Sequence, residues 1–192
     1  MTDDMPSDLN LALQAQTGER HAFDLLVRRH KDLLYRFVRR YIGNDDDAYD
    51  IVQDTFISAW MAMKRYDRQK SFTTWLRAIA LNKCRDFGRR QTVRRRFLRL
   101  VAPNEQAAPS DWEPNVRAAQ DAFETKRLQR LDRAIAELPP FYKEPLLLTT
   151  TAGLSQQAAA AELRTTTKAI EMRIRRAKKK LAEALSDLKG EN

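Results

Sequence analysis

From Ser7 to Ala102 the sequence contains no proline, and through that stretch apolar residues recur every three or four positions. Proline inside a helix removes a backbone donor and clashes with the turn before it, so this absence combined with this period points to long helices. Phe23, Leu26, Val27, His30, Leu34, Phe37, Val38 and Tyr41 form a first stripe, and Gly43 follows as a stop. Asp45–Asp47 then offer N-caps and negative charge where a helix dipole favours it. The second stripe is Ala48, Ile51, Val52, Thr55, Phe56, Ala59, Trp60 and Met63. After a polar loop at 64–70, a third stripe runs Phe72, Trp75, Leu76, Ile79, Ala80, Cys84 and Phe87. Almost nothing alternates with period two, so the expected unit is a helical bundle.

Pro103, Pro109 and Pro114, set among Asn, Ala, Ser and Asp, read as a linker. Beyond them Leu128, Leu131, Ile135 and Leu138 mark a helix ending at Pro139-Pro140, and Leu146–Leu148 lie in a second helix closed by Gly153. Pro145, inside or at the start of that helix, should kink it or define its first turn. Ser155 is the expected N-cap of a short helix running to about Leu163. Arg164–Thr167 then turns into a final helix with Ile170, Ile174, Ala177, Leu181, Leu185 and Leu188 inward. Short helix, tight turn and longer basic helix make a helix-turn-helix plan. The expected fold is all-α: two small helical domains, residues 20–96 and 126–188, with a tail at 1–19 and a flexible linker at 97–125.

The net charge of +9 is unevenly spread. Residues 1–63 carry −4, residues 64–100 carry +11, residues 101–124 carry −4 and residues 125–192 carry +6. Two basic blocks of that kind attract a polyanion through phosphate contacts and counterion release. Other classes fall away. One cysteine and two histidines leave no disulfide framework, no Cys-based zinc cage and little for triad chemistry. Gly-rich phosphate loops and nucleophile elbows are missing, so neither catalysis nor a cofactor nor a metal is expected. Cys84 and His30 fall on apolar stripes and read as core. No apolar run reaches the ~20 residues of a membrane span, and the acidic start lacks the plan of a signal peptide, which implies a cytoplasmic protein.

Three helix faces carry the functional reading. On the final helix Lys168, Glu171, Met172, Arg175 and Arg176 point away from the apolar stripe, placed to meet base edges, while Lys178, Lys179 and Lys180 suit phosphate. The third N-terminal helix exposes Thr73, Thr74, Arg77, Asn82, Arg85, Arg89 and Arg90, with Tyr66, Phe72 and Trp75 near its start. Basic residues mixed with aromatics suit separated DNA strands. Of these aromatics Tyr66 alone is expected to be exposed, in the loop. The second helix is acidic on its polar side, through Asp46, Asp47, Asp50, Gln53 and Asp54, and would repel DNA. It is either a protein-docking face or an ordinary solvated one; composition does not separate the two.

Three segments in register resemble one family. Asp45–Trp60 (DDDAYDIVQDTFISAW) is similar to region 2.2 of bacterial extracytoplasmic-function sigma factors, the group IV members of the sigma-70 superfamily. Phe72–Arg90 (FTTWLRAIALNKCRDFGRR) resembles regions 2.3 and 2.4. Leu138–Leu148 (LPPFYKEPLLL), then Gly153–Ser155 and Ala169–Leu181, resembles region 4. The resemblance implies a transcription initiation factor whose acidic helix docks on the β′ clamp helices of core RNA polymerase. Asp46, Asp47, Asp50, Gln53 and Asp54 would then be the docking residues. It implies promoter −10 contacts from Lys64, Arg65, Tyr66, Arg77, Asn82, Arg85, Arg89 and Arg90. It implies −35 contacts from Thr166, Thr167, Lys168, Glu171, Met172, Arg175, Arg176 and Lys179, with the β flap as a further partner and an anti-sigma factor as inhibitor. Where the family's helix-turn-helix turn often has glycine followed by an apolar residue, this chain has Arg164 and Thr165, and the short helix is rich in alanine.

Overall fold

The computed structural model describes residues 6–101 and 119–186. They form eight α-helices: α1 Asp8–Gln16, α2 Arg20–Ile42, α3 Asp45–Ala62, α4 Phe72–Val101, α5 Ala119–Glu137, α6 Pro140–Thr150, α7 Gln156–Glu162 and α8 Thr167–Ser186. A single 3₁₀ turn at Met63–Arg65 follows α3. No strand occurs among the described residues.

The stripes become the core. Of the α2 stripe only Val27 stays half-buried, and of the α3 stripe only Trp60. Helix α2 stops at Gly43, whose φ of 85° lets its N–H reach the Arg39 carbonyl at 2.8 Å. The cap of α3 is Asn44, which accepts from the Asp47 N–H at 3.0 Å, so Asp45–Asp47 fill the first turn and do not cap.

Residues 8–16 are not a free tail. Ser7 caps α1 by accepting from the Asn10 N–H, and Leu11, Ala12 and Ala15 are buried in the bundle. Asp8 holds Arg29 at 2.6 Å and the His30 ring at 2.7 Å, and Gln16 donates to the Tyr66 carbonyl at 2.9 Å. Helix α1 is thus tied both to α2 and to the loop that precedes α4.

In the second half α5, α6 and α8 pack around Ile135, Leu146–Leu148, Ile170, Ile174, Ala177 and Leu181. Leu185 is half-buried, Leu188 lies outside the described residues, and Leu128 is 56% exposed because the buried arc of α5 begins beyond it. Pro140 starts α6, and Pro145 is buried within it. Gly153, at φ 69°, follows the helix as expected. The helices also reach into the expected linker, since α4 runs to Val101 and α5 begins at Ala119. The linker prolines lie outside the described residues.

The two halves are packed together into one continuous apolar core. Gly43 sits so close to α5 that a Cβ there would lie 2.5 Å from the Ala136 Cβ. Lys143 of α6 donates to the Tyr41 carbonyl at 3.0 Å, and Arg40 donates to Thr151 at 3.1 Å. A unit of this second half's size is near the lower limit for a self-sufficient core, and packing against the first half enlarges it.

Candidate nucleic-acid and protein-docking faces

Helix α8 displays its polar face openly. Thr166 is its N-cap, accepting from the Ala169 N–H at 3.2 Å. Thr167, Lys168, Glu171, Arg175, Arg176 and Lys179 are all exposed, and Met172 is half-buried. The apolar stripe anchors the helix on α6 and α7, so its outer residues are presented on a rigid element. Arg173 lies apart from them, its guanidinium 3.9 Å from the centre of the exposed Phe141 ring. The turn before α8 puts Arg164 at φ 51°, the left-handed conformation that glycine adopts at no cost, while the Thr165 N–H bonds the Ala160 carbonyl at 2.9 Å. The tight turn therefore forms without the glycine.

The α3 face is also open. Asp46, Asp50, Gln53 and Asp54 are exposed, and Asp47 is half-buried. Partial burial, with Asp50 and Asp46 as like charges nearby, pushes the Asp47 carboxyl up. Asp45 faces the other way. Burial would raise its carboxyl, but hydrogen bonds from Tyr35 (2.7 Å) and Arg39 hold it down. Along the same outer face the acidic row runs into Ile57, 58% exposed, and Met61, 80% exposed.

The α4 face departs most from expectation. Lys64, Arg65, Asn82, Arg89 and Arg90 are exposed, and Arg89 pairs locally with Asp86. Tyr66 is not exposed: at 4% it is core, its ring against Phe72 and Trp75 and its hydroxyl donating to the Lys70 carbonyl at 2.6 Å. It shapes the 66–71 loop and offers no free ring to a base. Burial raises its phenol further. An open cleft lies between this loop and the start of α1, lined by Ser7, Asp8, Arg68, Lys70 and Phe72 among others.

Arg77 is covered as well, and Arg85, although its side chain is 37% exposed, is engaged by a carboxylate. Arg77 is 6% exposed and pairs with Glu162 at the end of α7 at 3.3 Å. Arg85 grips Glu144 of α6 with two bonds of 2.7 and 2.6 Å, and Tyr41 donates to the same carboxylate at 3.2 Å. Burial pushes the Tyr41 phenol up, and Glu144 adds to that. The Glu144 hydrogen bond raises Arg85, keeping it charged. Lys143 and Cys84 complete the cluster; burial lowers the Lys143 ammonium to about 8 and raises the Cys84 thiol to about 12. A thiol so held is inert at neutral pH.

Sequence reasoning missed Lys143, Glu144 and Glu162. Leu81 was the available signal: it is 3% exposed, off the main stripe, and one turn from both Arg77 and Arg85. No group of three or more potential metal ligands occurs among the described residues. No helix of the described residues is long and apolar enough to cross a membrane.

Two family profiles match the chain in order: sigma-70 region 2 over residues 26–94 and sigma-70 region 4 over residues 128–181. The RNA polymerase sigma factor NccH of Alcaligenes xylosoxydans xylosoxydans is 37% identical over 96% of this chain and 97% of its own length. The RNA polymerase sigma factor CnrH of Cupriavidus metallidurans is 36% identical over 93% and 94%. A solved structure of CnrH in complex with the cytosolic domain of CnrY superposes with a TM-score of 0.67 at 33% identity, covering 95% of this chain and 99% of that one.

Proposed function

The chain belongs to the extracytoplasmic-function sigma factors of the sigma-70 superfamily, and we propose that it delivers core RNA polymerase to promoters through three separate faces. The first is the acidic face of α3, where Asp46, Asp47, Asp50, Gln53 and Asp54 dock on the β′ clamp helices, with Ile57 and Met61 as adjoining apolar contacts. The second is α8, where Thr166, Thr167, Lys168, Glu171, Met172, Arg175, Arg176 and Lys179 meet the −35 element. The same domain contacts the β flap. The third is the loop and face of α4, where Lys64, Arg65, Arg77, Asn82, Arg85, Arg89 and Arg90 meet the −10 element. There Tyr66 acts by shaping the loop beside the cleft that would receive an unpaired base.

The observation that carries this reading is the exposed acidic row on α3 in a chain of net charge +9. Such a row repels DNA and leaves a basic protein surface as its natural partner. The chain performs no chemistry of its own in this reading; it melts and positions DNA for the polymerase, in the cytoplasm. An anti-sigma protein is the proposed inhibitor, by analogy with the CnrH–CnrY complex.

The test is co-elution with bacterial core RNA polymerase by size exclusion without DNA, comparing wild type with Asp50→Arg/Asp54→Arg. Co-elution of wild type that is lost in the double variant is the expected result. Failure of well-folded wild type to co-elute overturns the reading and leaves a plain helix-turn-helix regulator.

A further inference from the structure

Tyr49 stands at the edge of the acidic row on α3, one turn from both Asp46 and Gln53, and is 57% exposed. Its ring is stacked on Tyr35 of α2, with ring centres 4.5 Å apart and planes inclined by 29°. Tyr35 is itself fixed: its hydroxyl donates to Asp45 at 2.7 Å, and Arg39 holds the same carboxylate oxygen. One face of the Tyr49 ring is therefore covered by a held neighbour, and the other is left to solvent. Single exposed apolar residues are ordinary. Helix α3, however, carries Tyr49, Ile57 and Met61, and no other helix exposes three large apolar side chains among the described residues. Tyr49, Gln53 and Ile57 follow at steps of four, so ring, amide and aliphatic side chain share one side of the helix.

An open aromatic face is electron-rich and attracts a guanidinium or ammonium group. Elsewhere the chain supplies that group itself: Arg173 covers the Phe141 ring at 3.9 Å, and Lys143 covers Tyr41 at 4.6 Å. Among the described residues no cation of the chain lies over Tyr49. Its exposed neighbours Asp46 and Asp50 add negative charge to the same corner. A partner that fits here therefore brings basic side chains. The stack on Tyr35 also restricts the ring in advance, which lowers the entropy that ordering it on binding would cost. Ordered aromatics of this kind, centred among polar neighbours, are where binding energy concentrates and where dissociation rates are set.

We infer that Tyr49 is an aromatic anchor of the α3 face, positioned by Tyr35, and that its free ring face takes an arginine or lysine side chain of core RNA polymerase. This rests on the reading of α3 as the polymerase-docking face and assigns the labour within it. The carboxylates of Asp50 and Asp54 steer the basic partner and set the association rate, which salt screens. Tyr49, together with Ile57 beyond Gln53, holds the partner once it has arrived and sets the dissociation rate.

The experiment uses the full chain and immobilised bacterial core RNA polymerase without DNA, with association and dissociation followed by biolayer interferometry. Tyr49→Leu keeps apolar bulk but has no ring face, and should weaken binding about tenfold, chiefly through faster dissociation. Tyr49→Phe keeps the ring and should lose no more than about twofold. Tyr35→Leu removes the stack and should speed dissociation about threefold, and Tyr35→Phe, which keeps the stack, should restore it. Asp50→Arg/Asp54→Arg reports on the docking face itself. If that double variant loses binding while Tyr49→Leu dissociates like wild type, the docking reading stands and the anchor is overturned. If the double variant binds like wild type, α3 is not the docking face, and the anchor falls with it. A loss in Tyr49→Phe as large as in Tyr49→Leu also overturns the inference, because the hydroxyl and not the ring face then makes the contact. Wild-type dissociation in Tyr35→Leu overturns the positioning role of Tyr35.

Discussion

Arg77 and Glu162 stand 85 positions apart in sequence, yet the guanidinium and the carboxylate meet at 3.3 Å with each side chain only 7% exposed. A pair this buried behaves unlike one at the surface. Removing either partner leaves a charge without water or counter-charge, which in a closed interior costs about 3–5 kcal/mol. Here the ceiling is lower, because Arg77 also reaches the Thr74 hydroxyl at 3.5 Å, which leaves the guanidinium a polar partner when Glu162 is removed. A double-mutant cycle with Arg77→Ala and Glu162→Ala, read by thermal denaturation, should show a coupling of about 1–3 kcal/mol. The same cycle at Lys179–Glu183, a 3.8 Å pair on the surface of α8, should give about 0.5 kcal/mol or less.

Gly43 serves two purposes, and substitution separates them. Its φ of 85° ends α2, and its missing side chain lets Ala136 of α5 approach. Gly43→Ala should destabilise the chain by about 1–2 kcal/mol from the backbone alone. The Cβ contact adds to this by wedging the halves apart. Adding Ala136→Gly relieves the wedge but not the strain, so the second change should recover compactness by scattering while the melting temperature stays below wild type.

Arg164 marks the opposite case, a left-handed residue that is not glycine. Nothing in the structure hydrogen-bonds its exposed side chain among the described residues, so the strain is not offset locally. Arg164→Gly should raise stability by about 0.5–1 kcal/mol, the balance of relieved strain and added freedom in the unfolded chain. Differential scanning calorimetry would read this as a rise of about 1–4 °C for a chain of this size.

Arg164 also shows what could be read in advance. The turn, the caps at Ser155 and Gly43 and the three apolar stripes were legible, because periodicity reports the principal buried face of each helix. It does not report a second one. Arg77 and Glu162 are buried against each other across the linker, and a charged residue carries no mark of its future partner. Tyr66 failed for another reason: a loop aromatic has no period, so only its contacts with Phe72 and Trp75 decide where it points. Helix α1 was within reach, since Ser7 caps it and Leu11, Ala12 and Ala15 have helical spacing, but nine residues are too short for the pattern to stand out.

Lys143 predicts a pH dependence. Burial against the Tyr41 ring lowers its ammonium to about 8 from the ordinary 10.5. Below pH 8 both folded and unfolded chains hold the proton, and the cost of burying the charge is fully present. Between 8 and 10.5 the unfolded chain holds more protons, so stability rises with pH. Cys84 and Tyr41, whose groups are raised, act in the opposite sense above about pH 9, and Arg85, raised by its hydrogen bond to the neighbouring Glu144, stays charged throughout this range. Melting curves at pH 7.5, 8, 8.5 and 9 should therefore show wild type gaining on Lys143→Met as pH increases. A constant difference between the two would refute the assignment.

On α8 the exposed cations divide by position. Arg175 lies in the half of the helix nearer its N-cap Thr166, where side chains of a recognition helix enter the groove, while Lys179 lies a turn further on and already leans toward Glu183. Arg175→Ala should weaken holoenzyme binding to a cognate −35 element by about 1–3 kcal/mol and leave mixed-sequence DNA nearly unaffected. Lys179→Ala should weaken both to a similar degree and reduce the slope of log affinity against log salt by about 1. Filter binding across a salt series with both DNAs measures the two effects together. If the variants lose affinity in parallel on both DNAs, Arg175 contacts backbone, and base reading falls to Lys168, Glu171 and Met172 at the start of the helix.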